Sequence, residues 1–67
     1  MIGLIINGEP RSFAAPLTLD LLVDTLSLVG KRIAIERNGA IVPRSQYAET
    51  MLADNDRLEI VVAVGGG

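Results

Sequence analysis

The sequence contains no cysteine and no histidine. The first absence excludes a disulfide framework, a thiolate metal site and a cysteine nucleophile, and the second removes the imidazole base and the imidazole ligand. Positive charge is also thin: six Lys and Arg stand against eight Asp and Glu, for a net charge of -2. The six are scattered along the chain, whereas binding to nucleic acid or to an anionic membrane draws on clustered cations, so neither partner is expected. No apolar run approaches the ~18–20 residues of a membrane span, and the opening residues lack the basic-then-apolar layout of a signal peptide, which leads to the expectation of a cytoplasmic protein. Disorder is excluded as well, because hydrophobic residues make up 49% and charged residues only 21%. No phosphate loop, no nucleophile beside a base and no metal-ligating cluster is present. Nothing in the chain looks catalytic, and the expectation is a protein that is not itself an enzyme.

What remains is enough for one small domain. At 67 residues such a domain buries only ~60% of its unfolded surface, so its stability margin is expected to be narrow. Met1 to Ile6 is apolar throughout and runs into Asn7-Gly8. Asn-Gly supplies the positive φ that a tight hairpin turn requires, so a strand, a turn and a short returning strand over 11–14 are expected, bounded by Pro10 and Pro16 with Phe13 inward. Alternation assigns Ile2, Leu4 and Ile6 to the core and leaves Ile5 on the other face.

Thr18 then reads as a helix N-cap, Asp20 complements the helix dipole, and Gly30 is the expected stop after Val29. Leu19, Leu22, Val23, Leu26 and Val29 make one buried stripe. Leu21 and Leu28 lie on another side, where they extend the core or meet a partner. Ile33 to Ile35 begins a strand, Asn38-Gly39 repeats the turn signal, and Ala40 to Val42 returns before Pro43. Arg44 to Thr50 predicts one or two helical turns, with Tyr47 at the core edge and Leu52 inside.

Asp54-Asn55-Asp56 has the first residues of a calcium loop but lacks its glycine and closing glutamate, so a turn explains it better. The last strand follows, with Leu58 and Ile60 inward and Glu59 and Val61 outward. A helix between the first hairpin and the later strands favours a parallel central pairing of first and last strands. The expected class is therefore α+β, a β-grasp (ubiquitin-like) fold: a mixed sheet of four to five strands with one main helix on one face. Its uncovered face would carry Ile5, Ala34, Glu36, Glu59, Val61 and Ala63. Within that set Ile5, Glu59, Val61 and Ala63 are candidate partner-docking residues, provided the register holds.

The chain closes on Val64-Gly65-Gly66-Gly67. A β-branched run passes directly into residues without a Cβ, which predicts a domain over 1–63 and a flexible tail over 64–67. Fully extended, those four residues reach about 13–14 Å at ~3.3–3.6 Å each, enough to enter an active site. Such a tail is either a frayed end or a substrate whose last residue, Gly67, is chemically modified in a partner's narrow channel.

Several features together resemble the ThiS family of sulfur carriers in thiamine biosynthesis. They are the Asn-Gly after the first strand, the Thr-capped leucine-rich helix, Glu36-Arg37-Asn38 before Gly39, Ile41-Val42-Pro43-Arg44, Leu58-Glu59-Ile60-Val61 and the terminal Gly66-Gly67. The likeness covers essentially the whole chain, with three terminal glycines where members commonly show two. It implies that an E1-like adenylyltransferase uses ATP and Mg to convert Gly67 into an acyl-adenylate. It further implies that sulfur originating from a cysteine desulfurase, directly or indirectly, replaces AMP to give a thiocarboxylate, and that thiazole synthase takes that sulfur. Val64, Gly65, Gly66 and Gly67 would thread the partner channels, and no cofactor would be bound by the carrier itself. The small subunit of molybdopterin synthase shares the terminal chemistry with a different acceptor. A non-reactive ubiquitin-like binding module is the alternative outside the carrier class.

Overall fold

Two Asn-Gly turns set the frame. In the computed structural model, which describes residues 1–63, Asn7 and Asn38 both take φ 51, and Gly8 and Gly39 follow at φ 83 and 88. Two successive positive φ values match the right-handed twist of the flanking strands, so each turn closes a hairpin. The first joins β1 (Ile2–Ile6) to β2 (Glu9–Phe13) and the second joins β3 (Ile33–Arg37) to β4 (Ala40–Val42). Between the hairpins lies α1 (Leu19–Thr25). After them come a 3₁₀ helix (Arg44–Glu49) and β5 (Arg57–Val62).

β5 enters between the hairpins, giving the sheet order β2-β1-β5-β3-β4. It runs parallel to β1, with Ile5 opposite Arg57 and Ile6 opposite Leu58, and antiparallel to β3 from Arg37–Leu58 to Ile33–Val62. The expected mixed sheet with one main helix is the observed one, and the first and last strands are its parallel central pair. Alternation sends Leu4, Ile6, Ile35, Leu58 and Ile60 to the helix side, where they close a buried core with Leu17, Leu19, Leu22, Val23, Tyr47 and Leu52. Leu4, Leu19, Leu22, Ile35 and Leu58 are almost wholly sequestered.

Thr18 caps α1 as its sequence position implies, its Oγ1 accepting from the Leu21 N–H at 3.3 Å. The helix ends earlier than Gly30 suggests. Ser27 takes φ 60, its N–H donates to the Asp24 carbonyl at 3.0 Å, and the Leu28 N–H donates to the Val23 carbonyl at 2.9 Å. That pair of bonds is a Schellman closure with serine in the left-handed position usually filled by glycine. Two expectations change with it. Val29 leaves the buried stripe and is 67% exposed, while Leu28, the residue after the left-handed one, folds back against the core. Leu21 stays at the surface.

The second strand also departs from expectation. It begins at Glu9, so Pro10 lies inside it, opposite Ile5, instead of bounding it. β2 is an edge strand, and a proline there costs no ladder bond when its nitrogen faces away from the neighbour. Where one or two helical turns are expected over Arg44 to Thr50, a six-residue 3₁₀ helix forms and buries Tyr47. The expected tail, Val64 to Gly67, lies outside the described residues.

Candidate functional site

The site begins with how β5 is held, because this strand leads to the C-terminal glycines. Just before its first residue stands Asp56, the one buried charged residue among those described. Its Oδ2 accepts from the Ala53 N–H at 2.8 Å and from Arg37 Nε at 2.9 Å, with Arg37 Nη2 at 2.8 Å, and its Oδ1 accepts from Asn38 Nδ2 at 3.1 Å. Burial pushes the carboxyl pKa up, but the Ala53 and Asn38 hydrogen bonds and the Arg37 guanidinium together outweigh it. The net position is below the ordinary carboxylate value. Asn38 also turns its Oδ1 to the Arg57 N–H at 2.9 Å, and its own N–H donates to the Arg57 carbonyl at 2.8 Å. The last residues of the Glu36-Arg37-Asn38 stretch thus serve as a clamp on the first residue of β5.

Asn7 holds the strand from the opposite side. Its N–H donates to the Leu58 carbonyl at 2.9 Å. Its side chain then accepts from the Ile60 N–H at 2.7 Å and donates to the Ile60 carbonyl at 3.1 Å. The amide continues the β1–β5 ladder after the β1 backbone has turned away. Both Asn-Gly signals foretold turns. Neither foretold that each asparagine grips the final strand, because their partners are 53 and 19 residues away in sequence.

The face of the sheet away from α1 carries the docking candidates. Val61 stands opposite Ala34 and Glu59 opposite Glu36. Val61 is 63% exposed, and Glu59 and Ala63 are exposed as well. These three lie in one row along the end of β5. Ile5 shares the face on the neighbouring strand, level with Arg57, two residues before Glu59, or roughly 7 Å along the strand at ~3.3 Å per residue, and it is half-buried. The structure therefore places Glu59, Val61 and Ala63 in one row and Ile5 beside the Glu59 end of it, on the neighbouring strand. Val64, Gly65, Gly66 and Gly67 lie outside the described residues.

Beside Val61 is an open groove of about 390 Å³, lined by Arg32, Ile33, Ala34, Arg44, Val61 and Ala63. The Ala63 N–H donates to the Arg32 carbonyl at 2.8 Å, and Arg44 Nη2 donates to the Lys31 carbonyl at 3.0 Å. Cations scattered in sequence thus collect where the chain leaves the sheet. Only the tertiary pairing of residue 32 with residue 63 produces this grouping. Among the described residues no cluster of metal-ligating side chains forms, and no helix is long and apolar enough to cross a membrane.

Comparison with known proteins adds the following. The model of the ThiS family matches residues 4–67. A thiazole synthase of Paramagnetospirillum magneticum is 47% identical over 64 residues, which are 96% of this chain and 20% of that protein. This chain thus spans about a fifth of the length of that relative. The sulfur carrier protein ThiS of Bacillus subtilis is 40% identical over 50 residues, 75% of this chain and 76% of that one. The crystal structure of the thiamine biosynthesis protein ThiS from Geobacter metallireducens superposes with a TM-score of 0.83 at 28% identity, covering 98% of this chain and 100% of that one.

Proposed function

Since the chain belongs to the ThiS family, we propose that it is a sulfur carrier of thiamine biosynthesis, with Gly67 as the residue that carries the sulfur. The observation that carries this reading is the family match running through to residue 67. The Bacillus subtilis relative named sulfur carrier protein ThiS supports it.

The chemistry follows from the carboxylate that the reading assigns to Gly67. With a reference pKa of about 3.3–3.7, a terminal carboxyl group is an anion at neutral pH and a poor electrophile. Activation by an E1-like adenylyltransferase removes that obstacle. A carboxylate oxygen attacks the α-phosphorus of MgATP, pyrophosphate leaves, and the resulting acyl-adenylate has AMP as its leaving group. The outer sulfur of a persulfide originating from a cysteine desulfurase then attacks the acyl carbon and AMP leaves; a thiol cleaves the resulting acyl disulfide, forming a disulfide with the persulfide's inner sulfur and releasing the thiocarboxylate. The carrier is consumed and regenerated as a cosubstrate, and ATP and Mg belong to the activating partner.

Thiazole synthase is the inferred acceptor. Proteins bearing that name, from Paramagnetospirillum magneticum and Magnetococcus marinus, contain stretches 47% and 39% identical to this chain. Glycine suits the tail in this role because a backbone without side chains fits a narrow channel. Glu59, Val61 and Ala63 are the proposed docking row, with Ile5 at its far margin.

Intact mass measured before and after incubation with MgATP, the activating enzyme and a sulfur source tests the reading. The expected result is a gain equal to one oxygen replaced by sulfur, abolished by deletion of Gly67. An unchanged mass with an enzyme proven active overturns it and favours a passive binding module, whose partner affinity the deletion would leave nearly unaltered.

A further inference from the structure

We propose that Arg32 and Arg44 form a cationic collar around the root of the tail, and that this collar docks on an acidic rim at the mouth of the activating enzyme's channel. The proposal rests on the carrier reading above and adds the chemistry of the surface that must receive the tail.

Charge segregation is the first argument. The chain has six basic residues and eight acidic ones. Arg32 and Arg44 line one groove, with Lys31 bonded through its carbonyl to Arg44, and none of the groove's lining residues is acidic; the other three basic residues are Arg11, Arg37 and Arg57. One of those three is already committed, because Arg37 is paired with Asp56. Among the described residues no carboxylate is within ion-pair distance of Arg32 or Arg44. Asp20 shares the adjoining hollow with Arg44 without pairing to it.

Position is the second argument. Arg32 is tied by its own carbonyl to the N–H of Ala63, and Arg44 is fixed by its bond to the Lys31 carbonyl. Both flank an apolar floor that includes Ala34 and Val61. A channel that takes the chain beyond Ala63 would bring its rim to the groove that Arg32 and Arg44 line. Charges of opposite sign on that rim would steer the encounter and fix its orientation. The nucleotide phosphates are a poorer match. With the tail extended they would sit near Gly67, about 13–14 Å from the collar, beyond the ~8–10 Å screening length at physiological salt.

The test uses the full chain and the activating enzyme, with binding measured by titration calorimetry at low and high salt and thiocarboxylate formation followed separately by intact mass. Arg32→Glu is expected to weaken binding at least about tenfold at low salt and to flatten its salt dependence, with Arg32→Lys near the unsubstituted protein. Arg44→Glu provides a second variant, and circular dichroism confirms that each is folded. At saturating carrier the mass gain should still occur, since the collar acts in docking and not in chemistry. Equal affinity and equal salt dependence for folded Arg32→Glu and Arg44→Glu overturn the collar. So does a failure of the unsubstituted chain to bind. Normal binding differences without any mass gain support the collar and refute the sulfur-carrier reading, so the two fail separately.

Discussion

β5 is a different structure at its two ends. Its first residue is held through Asp56, Arg37 and Asn38, with β1 on one side and β3 on the other. Beyond Ile60, where the Asn7 side chain makes its last contact, β1 has already turned into β2, and Val61 and Val62 are paired with β3 alone. Burial on the helix side follows the same gradient, from Leu58 at 1% exposed through Ile60 at 8% to Val62 at 41%. The comparison shows how a small domain can fix one end of a strand with buried polar bonds and leave the other accessible.

Breaking the anchored end should have the largest effect. Asp56→Ala leaves Arg37, the Ala53 N–H and Asn38 Nδ2 without their acceptor, and loss of one member of a buried ion pair costs about 3–5 kcal/mol. For a domain of this size the total stability is only about 3–10 kcal/mol, so urea denaturation should show a severely destabilised or unfolded protein. The same residue sets the acid limit. Because the folded-state pKa of Asp56 lies below its unfolded value, its contribution is fully present above ~pH 4 and is lost as pH falls through the folded pKa. Asp56→Asn should flatten that acid limb, and an unchanged pH profile of the melting temperature would remove Asp56 as its source.

The two asparagine clamps offer a finer division. Glycine at position 7 or 38 keeps the positive φ and deletes only the side-chain bonds, so Asn7→Gly and Asn38→Gly isolate the clamps from the turns. Each should cost about 1–3 kcal/mol, the usual penalty for backbone groups that lose their partners. Hydrogen exchange should separate them: Asn7→Gly should expose the Ile60 amide, whereas Asn38→Gly should expose that of Arg57. Uniform loss of protection across β5 in both variants would mean that the strand responds as one unit.

Smallest in stability is the change at the accessible end. Val61→Asp replaces a side chain that already faces solvent and should alter stability by no more than about 1 kcal/mol, the span of strand propensities. Its effect belongs to binding. Affinity for the activating enzyme should fall while the melting temperature barely moves, and undiminished affinity would take Val61 out of the docking row.

Local signals in the sequence make much of this molecule legible. Asn-Gly requires positive φ wherever it closes a hairpin, Thr18 offers an N-cap regardless of what packs above it, and the alternation around Leu58 and Ile60 has one buried face. Each of these is a property of a few neighbouring residues, so each survives translation into three dimensions. The helix end was less legible because Ser27 takes the left-handed position through hydrogen bonds closed by the chain around it, ahead of the more obvious Gly30. Pro10 reads locally as a boundary, because only the finished sheet makes β2 an edge strand that can hold it.

Tertiary structure decided everything that joins distant residues. The amide of Asn7 meets Ile60, Asp56 gathers donors from two loops, and Arg32 and Arg44 come to flank Ala63. Such contacts depend on strand order and register, which place residues dozens of positions apart within hydrogen-bonding distance and leave no periodicity in the sequence. Composition and spacing were sufficient for the strands, the turns and the core. The strand that leads to the tail, and the charges around its exit, required the fold, because hydrogen bonding and electrostatics act through space and take no account of separation along the chain.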